Sequence, residues 1–248
     1  MIRRDAILGS RVDVGPRSEL LRRILFLAQE LRTSRVLFAN VHMAVESLRN
    51  PLLREAMENA DLVCPDGMPI VRLLSRRGDG TERLEGMSAF PEILKLAEAS
   101  GVSVALFGST PSVIEATTDK IRRDYPGLRL VLSLSPSFGA ALDTDHSEHT
   151  VRLRESGARL VFVALGCPRQ ELWMDRVRDV PACFLGVGNA FEVYAGLRRR
   201  APVWARSLCL EWLFRLAQEP RRLGWRYAFT NARFLLSLPG EILRRRLR

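Results

Sequence analysis

The sequence predicts an α/β protein: a parallel sheet with helices on both faces, followed by an Arg-rich helical tail. Three observations carry this. Short apolar runs without polar alternation recur along the chain, among them 35–40 (RVLFAN), 102–107 (VSVALF) and 159–165 (RLVFVAL); strands of that kind are buried on both faces. Amphipathic stretches lie between them, as in 17–31, where Leu20, Leu21, Ile24, Leu27, Ala28 and Leu31 share one helical face. Strands alternating with helices give a parallel sheet covered on both sides. Finally, 196–248 holds thirteen Arg against three acids (Glu211, Glu219, Glu241), an excess equal to the +10 net charge of the whole chain.

The elements follow in order. The helix over 17–31 leads to the strand 35–40 and to a short helix over 51–59, with Pro51 in its first turn. A strand at 61–64 runs into Pro65-Asp66-Gly67, and a helix continues over 70–74. After the polar loop 76–83 come a helix over 90–99, ended by Gly101, and a strand 102–107 that stops at Gly108. A helix over 112–125 ends at Pro126-Gly127 and precedes a strand at 128–134. A loop and a helix reach residue 156, and the strand 159–165 ends at Gly166. A helix over 170–178 and a strand at 182–185 lead to Gly186-Val187-Gly188. In the tail, Pro202 and Pro220 divide helices at 204–218, 221–236 and 241–248, with Trp204, Leu208, Trp212, Leu213 and Leu216 at helical spacing. The expected division is a catalytic domain, 1–195, and a helical appendage, 196–248.

Composition narrows the function. A chain of 248 residues with 47% apolar content suits a soluble globular protein. Its basic residues are Arg apart from Lys95 and Lys120, which favours bidentate phosphate contacts. Four scattered Cys without a CxxC pair argue against a disulfide scaffold or structural zinc and for a reducing cytosol. Residues 1–10 carry no apolar signal-peptide core, and no run reaches the ~20 apolar residues of a membrane span, so membrane contact is expected to be peripheral. Arg interleaved with Trp and Leu in the tail suits an anionic interface: membrane, nucleic acid or phosphorylated ligand.

Open α/β sheets bind ligands beyond the carboxyl ends of their strands. Asn40, Asp66, Gly108, Gly166 and Gly188 should therefore converge on one crevice. Asp66 suits a general base or a ligand for a sugar hydroxyl, and equally a turn Asp bonded to its own backbone. Gly166-Cys167-Pro168-Arg169-Gln170-Glu171, between a strand and a helix, lets backbone approach a ligand and offers free N–H groups. Gly108-Ser109-Thr110-Pro111 reads the same way. Gly186-Val187-Gly188 lacks the third Gly of a dinucleotide fingerprint, and no P-loop or Gly-x-Ser-x-Gly elbow occurs. Asp143-Thr144-Asp145, with His146 and His149 nearby, matches an Asp-x-Asp metal motif; its place in a polar loop favours a solvated helix cap, and no metal site is expected.

Together these segments resemble the WecG/TagA/CpsF family of bacterial glycosyltransferases over roughly 7–233. The matching residues are Asn40; ADLVCPDG at 60–67; Glu82, Arg83 and Gly86; LFG at 106–108 with Pro111; VALGCPRQE at 163–171; GVG at 186–188 with Phe191 and Gly196; RAP at 200–202; and EWLFRL with EPRRL within 211–223. The resemblance implies a Rossmann-like sheet, an inverting, metal-independent transfer, and a C-terminal appendage that docks on the membrane and closes over the site. It implies Asp66 as general base, with Asn40, Arg83 and Gln170 binding donor or acceptor. Arg215, Arg221 and Arg222 would stabilise the leaving UDP. The chain departs from the family at Ser88 and Glu192, where many members carry Asp, which bears on sugar specificity.

The expected enzyme moves a sugar from a UDP-sugar of the N-acetylmannosamine, uronic acid or glucose type to a polyprenyl-pyrophosphate-linked saccharide. It would work without a cofactor, in the cytoplasm, on the inner face of the cell membrane, and a homo-oligomer is left open. The alternative is a nucleic-acid-binding protein with a basic helical arm; the charge permits it, but no helix-turn-helix or RNA-recognition signature is present.

Overall fold

An antiparallel hairpin of β1 (Arg3–Ile7) and β2 (Ser10–Val14) opens the chain, with Leu8 and Gly9 in the left-handed region at its turn. Sequence reasoning finds no strand here, because β2 is fully buried yet carries Ser10, Arg11 and Asp13. Those charges satisfy one another. Arg11 Nη2 lies 2.9 Å from Asp13, whose other role is to accept the Val63 N–H at 2.8 Å. The hairpin thereby anchors the strand that leads to Asp66.

The computed structural model describes residues 1–75, 80–136, 147–202, 205 and 210–246. After the hairpin come α1 (Arg17–Gln29), β3 (Ser34–Ala39), α2 (Val41–Glu46), α3 (Pro51–Asn59), β4 (Leu62–Pro65), α4 (Met68–Leu74) and α5 (Gly86–Ala99). They are followed by β5 (Val104–Gly108), α6 (Pro111–Asp124), β6 (Leu130–Leu134), α7 (Ser147–Glu155), β7 (Leu160–Ala164), α8 (Arg169–Arg176), β8 (Cys183–Gly186) and α9 (Ala190–Tyr194). The C-terminal helices are α10 (Glu211–Gln218) and α11 (Pro220–Arg246). Six strands pair in parallel in the order β4-β3-β8-β7-β5-β6. The protein is α/β, with a parallel sheet flanked by helices.

The unbroken apolar runs have a direct cause. Alternate residues of each central strand enter different cores. Leu37, Ala39, Val161 and Val163 point into the core beneath the hairpin, α2, α3 and α8. Val36, Phe38, Leu160 and Phe162 point into the core beneath α1, α5, α6 and α9. Each Val, Leu or Phe among them is worth roughly 1.5–3 kcal/mol on burial, which accounts for apolar residues on both faces of these strands.

Three expectations change. Helix α5 starts at Gly86 rather than Phe90, with Pro91 inside it. The short helices α2 and α9 fall where the sequence reading assigns no element. Helix α11 runs unbroken through Pro239, where the sequence suggests two helices. An internal Pro costs about 3 kcal/mol; here Phe234 is buried and Phe229 and Leu238 pack on the same core as α2, which offsets that cost. The start of the expected 204–218 helix and the Asp143, Asp145 and His146 group lie outside the described residues. His149 packs edge-on against Phe107, with ring centres 5.5 Å apart.

Gly108 is set by packing. Its φ is +110°, and a Cβ there would stand 2.6 Å from the Ala164 carbonyl oxygen of neighbouring β7. Gly108→Ala should therefore destabilise the fold by about 3 kcal/mol, measured by urea denaturation. A loss under about 1 kcal/mol would mean that the two strands separate easily and that steric demand does not explain this glycine.

Candidate active site

A cavity of about 730 Å³ lies beyond the carboxyl ends of β3, β4, β7 and β8, and α10 and α11 form its far wall. Asn40, Asp66, Arg83, Gly166, Gln170 and Gly188 all line it. Gly108 is not among the lining residues, because β5 lies on the side of β7 away from β8. Arg221 is exposed and does not line the cavity either. The side chains of Arg215 and Arg222 lie outside the described residues.

The floor of the cavity is organised by Gln170, which is 4% exposed. Its Oε1 accepts the Gly166 N–H at 3.2 Å and the Gly188 N–H at 3.1 Å, joining the ends of β7 and β8. Its Nε2 donates to Glu171 Oε1 at 2.8 Å. The amide needs room, and Gly186 supplies it: a Cβ there would be 2.9 Å from Gln170 Nε2. One turn on, Trp173 is fully buried and stacks on Phe107 with ring centres 4.2 Å apart, which fixes α8 against the sheet. Asn40 caps α2, its Oδ1 accepting the Met43 N–H at 3.1 Å.

Asp66 sits one residue beyond β4, its backbone N–H bonded to the Ala39 carbonyl at 2.9 Å. Its side chain is 21% exposed and lies 3.4 Å from Arg83 Nη2. The same nitrogen lies 2.6 Å from Glu85 and 2.7 Å from Glu211 in the first turn of α10. Arg83 also donates from Nε to the Asp66 carbonyl. Burial works against the Arg83 charge, but the fields of Asp66 and Glu211 and their hydrogen bonds outweigh it and hold the guanidinium above its ordinary value.

Sequence reasoning passed over several neighbours. Glu211 is read as one of three acids in the tail and as the start of the EWLFRL match, with no role assigned, although it closes the Arg83 cluster. Glu85 is buried and also holds Arg200. Arg198 joins Glu192, at 3.1 Å, to Glu219, and both Arg198 and Glu219 line the cavity. Ser88 accepts from Arg17 at 3.2 Å. The available signal was the pairing of isolated acids with Arg in segments that matched the family, at Glu85, Glu211 and Glu219.

Glu171 is fully buried, and burial pushes its carboxyl up to about 7 despite hydrogen bonds from Gln170, its own backbone and Cys167. An unfolded carboxyl titrates at its ordinary 4.5. Below that value both states are protonated and burial costs nothing; above about 7 both are ionised and the folded state carries the whole penalty. Stability contributed by this group is therefore lost as pH rises through the window, by up to about 3 kcal/mol. Glu171→Gln, whose carbonyl can still accept from Gln170, should be more stable than the parent near pH ~8 and equal to it near pH ~4. Urea melts at the two pH values read this directly, and an equal difference at both would rule out the titration.

The chain matches the glycosyl transferase WecG/TagA/CpsF family over residues 6–248. It is also similar to an N-acetylglucosaminyldiphosphoundecaprenol N-acetyl-beta-D-mannosaminyltransferase from Bacillus spizizenii, with 28% identity over 206 residues, covering 82% of this chain and 77% of that protein. With a parallel sheet and a cavity at its carboxyl edge beside that match, the chain belongs to the WecG/TagA/CpsF family and is a glycosyltransferase.

Proposed function

We propose that this enzyme transfers a sugar, of the N-acetylmannosamine type, from a UDP-sugar to a polyprenyl-pyrophosphate-linked saccharide, with inversion and without a metal ion. The observation that carries this reading is the placing of Asp66 and Arg83 at the edge of a cavity closed by the C-terminal helices. The sugar and acceptor classes follow the Bacillus spizizenii relative, whose name specifies an N-acetylmannosaminyl group moved to a diphosphoundecaprenol-linked N-acetylglucosamine. Residues 1–195 then act as the catalytic domain and 196–248 as an appendage.

In this reading the acceptor hydroxyl oxygen attacks the anomeric carbon while the bond to the UDP oxygen breaks. Asp66 takes the hydroxyl proton, and the transition state has oxocarbenium character. Negative charge gathers on the departing pyrophosphate, and guanidinium groups fixed in advance stabilise it best. Arg198 on the cavity wall is placed to contribute, and Arg215, Arg221 and Arg222 belong to the same C-terminal segment. Asn40 and Gln170 shape the pocket around the donor.

A lipid-linked acceptor requires approach to a bilayer. Among the described residues no helix is long and apolar enough to cross one. Helices α10 and α11 instead expose Trp212, Leu213, Leu235, Leu236, Ile242 and Leu243. Apolar side chains on a strongly basic segment support a peripheral attachment, with each Arg near an anionic leaflet worth ~1 kcal/mol. Exposed Leu and Ile on both helices support a membrane surface over the basic arm of a nucleic-acid binder, whose contacts are mainly to phosphates.

The decisive test is UDP release from a panel of UDP-sugars with liposomes containing N-acetylglucosaminyl-diphosphoundecaprenol. Release should depend on one donor and on the lipid acceptor, and EDTA should leave its rate unchanged. Chelator inhibition reversed by Mn²⁺ would end the metal-independent reading, and release without the lipid acceptor would end the lipid-linked one. Asp66→Asn should lower turnover by about 10²–10⁴-fold with donor affinity retained in calorimetry; near-normal turnover would remove Asp66 as base.

A further inference from the structure

Three carboxylates crowd one guanidinium nitrogen. Arg83 Nη2 is 2.6 Å from Glu85, 2.7 Å from Glu211 and 3.4 Å from Asp66. Charge-assisted N–H···O bonds run at about 2.7–2.9 Å, so Nη2 sits closest to Glu85 and Glu211, while its contact with the Asp66 carboxylate is stretched and Arg83 stays tied to Asp66 through the bond from Nε to the backbone carbonyl. Glu85 is 4% exposed and shared with Arg200. Glu211 differs from both other acids in origin: it comes from α10, 128 residues further along the chain.

We propose that Glu211 is a positioning residue that draws Arg83 away from Asp66, so that docking of α10 is the event that leaves Asp66 basic enough to take the acceptor's proton. This rests on Asp66 as base. Two effects act in the same direction. A carboxylate tightly paired with Arg is a poor proton acceptor, because the positive charge favours its ionised form. Glu211 weakens that pairing by competing for Nη2. Its own negative charge, separated from Asp66 by at most the sum of the two distances to Nη2, further disfavours the Asp66 anion. With α10 undocked, Arg83 turns to Asp66 and the base is quenched, which protects the donor from attack by water before the acceptor side is assembled.

Among the described residues, other charges near the cluster are Arg17, paired with Glu92, and Arg200 on the Glu85 side. His42, Glu171, Arg198 and Glu219 stand on the cavity wall. All of these are unchanged in a comparison between the parent and a single Glu211 variant.

The experiment is a ¹³C-carboxyl titration of Asp66 in the full-length chain, compared with Glu211→Gln and Glu211→Asp. It needs no turnover. The Asp66 titration should move down by about one pH unit in Glu211→Gln, and Glu211→Asp should return it most of the way. The acid limb of the kcat/KM profile, measured with UDP-N-acetylmannosamine and the lipid acceptor, should move by the same amount, and the plateau should fall. An Asp66 titration that does not move in a folded Glu211→Gln protein overturns the proposal. A shifted titration combined with an active Asp66→Asn enzyme instead overturns its premise, that Asp66 is the base.

Discussion

The cavity depends first on the side-chain amide of Gln170. The carboxyl ends of neighbouring parallel strands diverge into separate loops, and the ladder between β7 and β8 ends with the Val187 N–H on the Val163 carbonyl, so something beyond it must hold those loops together. Gln170 does so from one point, taking a backbone N–H from each of Gly166 and Gly188. The two bonds settle which way the amide faces, so its Nε2 must meet an acceptor, and Glu171 is that acceptor. A buried acid in a cavity floor is costly in isolation. Here it follows from the geometry of the strand ends, because an apolar residue at this position would leave the Gln170 N–H groups unpaired.

Arg83 plays the corresponding part between the sheet and the C-terminal helices. Acids from three separate segments meet it, and a second guanidinium, Arg200, balances the buried Glu85. Pairs of this kind add little net stability, since desolvation consumes most of their attraction. Their value is geometric. A mispaired alternative leaves a charge buried and uncompensated, which is far more expensive than a shifted apolar contact, so α10 has one favourable seat.

Much of the fold was legible because two-sided burial leaves a strong mark: Leu160 to Ala164 can hardly be anything but a central strand. The first hairpin was not, since Arg11 and Asp13 satisfy each other inside a buried strand, and pattern reading takes charge for exposure. Pattern reading starts helix α5 too late and divides α11, and each of those helices holds an internal proline, Pro91 and Pro239. Local rules price the lost hydrogen bond but not the tertiary burial around it. Of the site, the glycines and Asp66 stood out as turn residues at strand ends. Glu211 did not, because nothing within α10 says that its carboxylate faces a guanidinium 128 residues earlier. Such a contact exists only in the folded chain.

The strand order has a consequence for how the protein is made. Strand β8 lies between β3 and β7, pairing Ser34 with Cys183 on one side and Leu160 with Cys183 on the other. Before it is in place, β3 and β4 form one small half-sheet and β5, β6 and β7 another, each with a long apolar edge open. At ribosomal speeds of about 5–20 residues per second, the first edge waits on the order of ten seconds for its partner. The strand that completes the sheet is also the one that leads into the cavity at Gly186 and Gly188. A nascent chain therefore has β3 to β7 made before the floor of the cavity can close.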